Sequence, residues 1–117
     1  MKVRLEPAWT SSSTPGLCLD RFPMVIGRGE DCDVSIPLGF ISRRHCRFVY
    51  QGGELLVRDL ESLNGTFVNG SAAPLLTPVC HGDEVRLGPL AYRVVVVERD
   101  TLCNRRLDTT PHEAVAC

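Results

Sequence analysis

The chain has 117 residues, 44% of them hydrophobic and 23% charged, with a formal net charge of −1. That length gives one domain and a short tail, and the composition excludes disorder, collagen and coiled coil. No stretch approaches the ~20 apolar residues of a membrane helix, and the near-neutral charge argues against a general nucleic-acid binder.

Short apolar alternations separated by turn residues run through the chain in place of helical periodicity. Val3 and Leu5 alternate with charge and predict an N-terminal strand. Residues 9–16 form a Ser/Thr/Pro/Gly loop, after which Leu17 and Leu19 alternate again. Met24-Val25-Ile26 is a short apolar run that ends at Gly27, and Val34 and Ile36 bracket Ser35. Cys46, Phe48 and Tyr50 fall on one face of a strand, with Arg47 and Val49 on the other. Gln51-Gly52-Gly53 makes a turn before Leu55 and Val57. Thr66-Phe67-Val68 runs into Asn69-Gly70, a type I′ hairpin signal because both turn residues need positive φ. Val85 and Leu87 precede the Gly88-Pro89 turn, and residues 91–98 are a Val-rich core strand. Many short strands at this spacing predict an all-β sandwich or barrel over residues 1–100. Residues 101–117 lose the pattern and read as a poorly ordered C-terminal tail.

The sequence nominates no catalytic machinery. Gly27-Arg28-Gly29 opens like a dinucleotide-binding turn, but the third glycine position holds Cys32 and no helix pattern follows. His45 adjoins Cys46 and His81 adjoins Cys80, and neighbours on a strand point to opposite faces, so neither pair is a nucleophilic dyad. Metal-ligand spacing is absent. The expectation is therefore a non-enzyme with no metal and no cofactor. The six cysteines (Cys18, Cys32, Cys46, Cys80, Cys103 and Cys117) form no Cys-x-x-Cys pair and lack an export signal. They read as reduced thiols packed as small hydrophobes in a cytoplasmic protein.

Phosphate recognition fits the polar residues better. Gly27-Arg28, Ser42-Arg43-Arg44-His45, Ser62-Leu63-Asn64-Gly65 and Asn69-Gly70 all fall at strand ends or in loops. Loops at one end of a sandwich converge. Guanidinium, hydroxyl and carboxamide groups gathered there would suit a phosphate dianion attached to a peptide.

At these motifs, in this order, the chain resembles the forkhead-associated (FHA) domain, and Gly82-Asp83-Glu84-Val85-Arg86-Leu87-Gly88 resembles the family's later turn and strand. The resemblance covers residues 3–98. It implies a two-sheet twisted β-sandwich that binds phosphothreonine peptides through loops at one end, and so a protein–protein interaction module in Ser/Thr kinase signalling. By the same resemblance Arg28 and Ser42 would hold the phosphate, Arg43 would reach it by side chain or backbone, and Asn64 would bond the ligand main chain. His45 would fix the loops, and Gly27, Gly65, Asn69 and Gly70 would serve the backbone. Where many members carry threonine before Asn-Gly, this chain has Leu63, which leaves room for a phosphate-independent interaction module on the same scaffold. Some members select the ligand's third residue after the phosphothreonine with a basic residue in the loop before Ser42. Here that loop holds Leu38 and Phe40, which predicts an apolar choice. Thr109-Thr110-Pro111 in the tail and Thr14-Pro15 near the N-terminus offer candidate ligands within the chain itself. No nucleic-acid or membrane partner is expected.

Overall fold

The computed structural model describes residues 1–8 and 16–98. Eleven strands run in chain order: β1 (Lys2–Pro7), β2 (Leu17–Leu19), β3 (Met24–Gly27), β4 (Val34–Ser35), β5 (Cys46–Gln51), β6 (Glu54–Asp59), β7 (Thr66–Val68), β8 (Ser71–Ala72), β9 (Thr77–Val79), β10 (Glu84–Leu87) and β11 (Leu90–Glu98). They form a six-stranded sheet in the order β2-β1-β11-β10-β7-β8 and a five-stranded sheet in the order β4-β3-β5-β6-β9. Every pairing is antiparallel except that of β3 with β4. The all-β sandwich expected from the alternations is the observed architecture. Thr14, Pro15 and the whole of 101–117, including Cys103, Thr109, Thr110 and Cys117, lie outside the described residues.

The alternation explains the core. Val3, Leu5, Leu19, Val68, Val85, Leu87, Tyr92 and Val94 face inward from the six-stranded sheet. Met24, Ile26, Cys46, Phe48, Leu55, Val57 and Val79 meet them from the five-stranded one. Burial pushes the Cys46 thiol far above its ordinary range, and the negative charge of Asp59, opposite it on β6, adds to the effect. The cysteines depart from the single expectation of reduced, packed thiols. Cys46 is a buried free thiol, Cys32 is partly covered, Cys18 is exposed, and Cys80 is disulfide-bonded.

Register determines where the loops go. Ile26, Cys46 and Asp59 stand in one row across β3, β5 and β6. Because those strands alternate in direction, the end of β3, the start of β5 and the end of β6 share one edge of the sandwich. The β10–β11 turn joins that edge, since Leu87 pairs with Thr66 and the Gly88 N–H donates to the Gly65 carbonyl at 2.8 Å. The Asn69-Gly70 hairpin does not belong there. It turns at the other end of β7, with φ of 50° and 88°. Its backbone N–H donates to the Glu84 carbonyl, and its side-chain Oδ1 accepts the Glu84 N–H at 2.9 Å, clipping the hairpin to β10.

Two backbone features invite test. Gly27 lies so close to the next loop that a Cβ would sit 2.2 Å from the Arg43 carbonyl oxygen. Backbone cannot yield as a flexible side-chain end can, so Gly27→Ala should destabilise the domain by about 1–3 kcal/mol, read as a lower urea midpoint at unchanged slope. Asn69→Ala loses both the side-chain bond to Glu84 and the tolerance of positive φ. A loss of about 1–3 kcal/mol should appear in the same measurement.

Candidate functional site

Three separated segments meet at this edge, and backbone hydrogen bonds hold them in register. The Arg28 N–H donates to the Ser42 carbonyl at 2.9 Å, and the Gly29 N–H donates to the Arg43 carbonyl at 3.1 Å. The Cys32 thiol donates to that same Arg43 carbonyl at 3.0 Å. Burial, then the Asp31 charge, raises the Cys32 pKa, which keeps the donor proton on sulfur. The Arg43 carbonyl thus accepts from two donors, and the bare Gly27 lies against it.

His45 joins the second and third segments. Its ring is fully buried. Nδ1 accepts the Ser42 N–H at 3.1 Å, and Nε2 lies 2.9 Å from the Gly65 carbonyl. A backbone N–H can only donate and a carbonyl can only accept, so the ring carries its proton on Nε2. The His45 main chain takes part too, donating to the Ile26 carbonyl and accepting from the Leu60 N–H.

The third segment rests on a group that the motif pattern did not mark. Asp59 ends β6 and accepts from the Ser62 N–H at 3.0 Å, from the Ser62 hydroxyl, and from the Thr66 hydroxyl at 2.7 Å. The Ser62 Oγ then accepts the Gly65 N–H at 2.9 Å. This closes a tight loop in which Glu61 and Gly65 take φ of 59° and 86°. A carboxylate at a strand end with serine three residues on is a local side-chain-to-backbone turn pattern, and it could have been found in the sequence. Gly88 is the other residue missed: its Cα approaches Asn64 so closely that a Cβ there would lie 3.1 Å from the Asn64 Cβ.

The polar tips at the rim have the following partners. Ser42 Oγ accepts the Leu63 N–H at 2.9 Å, which leaves its hydroxyl proton available. Arg28 is exposed and spends one donor on the Ile41 carbonyl at 3.1 Å. A guanidinium has five N–H donors, so most of its fork remains. Arg43 is exposed, and among the described residues no carboxylate lies within 4.0 Å of Arg28 or Arg43. Arg44 pairs with Asp31 at 3.7 Å, both exposed, a contact worth little to stability. Asn64 donates Nδ2 to the Phe40 carbonyl at 2.8 Å, bridging two loops and leaving its Oδ1 toward the rim. Asn64 does not have positive φ, so backbone tolerance does not account for it. Leu38, Phe40 and Leu63 give the rim an apolar margin, with Leu63 88% exposed.

Arg28, Ser42, Arg43 and Asn64 are therefore brought together, with Gly27, His45 and Gly65 beneath them, while Asn69 and Gly70 stand apart. The arrangement presents unneutralised guanidinium charge, a hydroxyl donor and a carboxamide. It presents neither a nucleophile–base pair nor, among the described residues, a cluster able to hold a metal.

Known proteins share this architecture. The FHA domain family model matches residues 24–88. The chain is 40% identical over 70 residues to the glycogen accumulation regulator GarA of Mycolicibacterium smegmatis, covering 60% of this chain and 44% of GarA. It spans half or less of the length of the first curated relatives it matches. A solved domain from work on phosphothreonine-dependent FHA domain interactions superposes with a TM-score of 0.71 at 31% identity, covering 84% of this chain and 99% of that one. The FhaA FHA domain, solved in complex with the intracellular domain of Rv3910, gives 0.67 at 33% identity, covering 79% and 98%. With the family's model matched over more than half its length and the family's sandwich reproduced, the chain belongs to the FHA-domain family.

Proposed function

We propose that the chain is a phosphothreonine-dependent protein–protein interaction module in Ser/Thr kinase signalling. The observation that carries this reading is the pair Arg28 and Arg43, placed at one rim beside the Ser42 hydroxyl with no carboxylate of the described residues within 4.0 Å of them. Phosphothreonine brings about −1.5 to −2 charge at pH 7 and three strong acceptor oxygens. In this reading Arg28 grips the phosphate through charge-assisted bonds, Ser42 donates its remaining proton, and Arg43 adds a second positive charge. Asn64, already tied to Phe40, offers its free carboxamide oxygen to the ligand main chain. His45 holds the loops and does no chemistry.

The reading includes no enzymatic turnover. It places the protein in the cytoplasm, where a Ser/Thr kinase would supply ligands. The free thiols of Cys18, Cys32 and Cys46 accord with that compartment and the Cys80 disulfide does not. No described helix is long and apolar enough to cross a membrane. The ligand is a phosphorylated partner protein, and the chain's own Thr109 or Thr110, once phosphorylated, would be a second source at high effective concentration.

Titration of one threonine peptide in phosphorylated and unphosphorylated forms tests the reading. Only the phosphorylated form should bind. Equal binding of both would replace the reading with a phosphate-independent module, for which the exposed Leu63 gives a foothold. Arg28→Ala should weaken binding by roughly tenfold to more than a hundredfold, since a hydrogen bond to a charged group is worth about 1.5–3 kcal/mol. Arginine stays charged while the phosphate loses its second charge near pH 6, so affinity should fall from pH 7 to pH 5. A phosphopeptide library should return an apolar residue three positions after the phosphothreonine, contacted by Leu38 or Phe40. Selection of aspartate there would remove those two residues from the ligand contact.

A further inference from the structure

The outer face of the five-stranded sheet carries a charge arrangement that the rim does not use. Arg47 on β5 stands directly opposite Arg58 on β6. Cys46, Phe48 and Val57 beside them point into the core, so the two arginines point away from it. Like charges directly opposed across a ladder destabilise a sheet. Among the described residues neither guanidinium has a carboxylate within 4.0 Å. Arg47 Nε is buried without a hydrogen-bond partner, so its stem lies down along the sheet.

An apolar row runs beside this pair. Val49 stands opposite Leu56, and Leu56 opposite Pro78. Leu56 is only 8% exposed yet does not belong to the core cluster, so it is covered on the outer face itself. Val57 pairs with Thr77, which puts the preceding residue, Leu76, 41% exposed, next to Arg58.

We propose that this face docks an acidic segment of a partner protein in which carboxylate and apolar side chains alternate. The carboxylates would lie between Arg47 and Arg58 and relieve a repulsion that nothing else described in the domain relieves. The apolar side chains would cover the partly exposed Val49 and the exposed Pro78 and Leu76, which flank the buried Leu56. Charge complementarity selects the occupant. Two arginines are too few for a nucleic-acid footprint, and an apolar row gives nothing to a phosphate backbone. The surface lies on the outer face of the sheet, one row from the edge that carries the rim, so one partner could be held at both.

The test uses the whole chain and a fluorescently labelled octapeptide of alternating glutamate and leucine, read by anisotropy. Saturable binding that weakens with salt is expected, with none for the lysine–leucine counterpart. The R47E/R58E double variant should lose about tenfold or more in affinity for the glutamate peptide while binding a phosphothreonine peptide as the wild type does. The single variant Arg58→Glu turns the opposed pair into an attractive one, so its melting temperature should rise by a few degrees. The proposal fails on any of four results: no binding of the glutamate peptide, equal binding of both peptides, an unchanged or lower melting temperature, or binding only to a DNA oligonucleotide or an anionic vesicle. Loss of phosphothreonine binding in the double variant would overturn the separation of the two surfaces. A wild type that ignores phosphothreonine yet binds the glutamate peptide would sink the rim reading alone.

Discussion

Two backbone groups in different loops, the Ser42 N–H and the Gly65 carbonyl, are satisfied by opposite edges of one buried ring. The geometry of the rim follows from that arrangement. Each bond contributes only about 1 kcal/mol net, but a buried donor or acceptor left without its partner costs about 1–3 kcal/mol. The loops can separate only by exposing both groups and the imidazole together. The Gly65 carbonyl also accepts from Gly88, so the same atom ties the β6–β7 loop to the β10–β11 turn in the six-stranded sheet. Asn64 then crosses to Phe40, and Ser42 Oγ reaches back to the Leu63 N–H. The rim is rigid because its loops are bonded to one another.

That rigidity bears on how the charge can be used. Arg28 and Arg43 stand on loops bonded to each other through their backbones, with no described carboxylate within 4.0 Å of either, and two like charges on one rim oppose the stability of the free domain. A carboxylate partner would remove that cost and occupy the site as well. Of the acids on these loops, Asp31 faces Arg44, Asp33 accepts the Val25 N–H, and Asp59 is taken by Ser62 and Thr66. None of the described carboxylates, Glu30 and Glu61 included, lies within 4.0 Å of Arg28 or Arg43. A cationic rim whose loops are already bonded together loses less to ordering when an anion arrives, which supports the proposed reading of this edge as a phosphate site.

Much of the fold was legible because burial on one face writes a period of two into the sequence. Val3-Leu5, Cys46-Phe48 and Leu55-Val57 all face the core as their alternation implies. The Asn69-Gly70 turn was legible because few residue types accept its dihedral angles. Strand β9 was not, because Pro78 breaks the pattern and three residues give too little of it. Proline is accommodated there because β9 is an edge strand. The rim residues were legible as separate tips, but what supports them was less so. Asp59 and Gly88 act through neighbours brought close by register, and register is long-range information that local composition does not hold. The cysteines show the same gap: a single expectation for all six could not separate buried Cys46 from exposed Cys18.

Leu63 shows how scaffold and recognition divide within one residue. Its backbone N–H donates to the Ser42 hydroxyl, a contact that any residue except proline would make. Its side chain is almost fully in solvent and supports nothing beneath it. The replacement of a polar side chain by leucine therefore leaves the loop geometry intact and changes only what the rim offers a ligand. With Phe40 and Leu38 also partly exposed, an incoming peptide meets permanent charge at the centre and apolar surface along the margin. In the proposed reading the centre would fix where a phosphate sits. The margin, which the fold leaves free to vary, is where this chain would distinguish one phosphorylated partner from another.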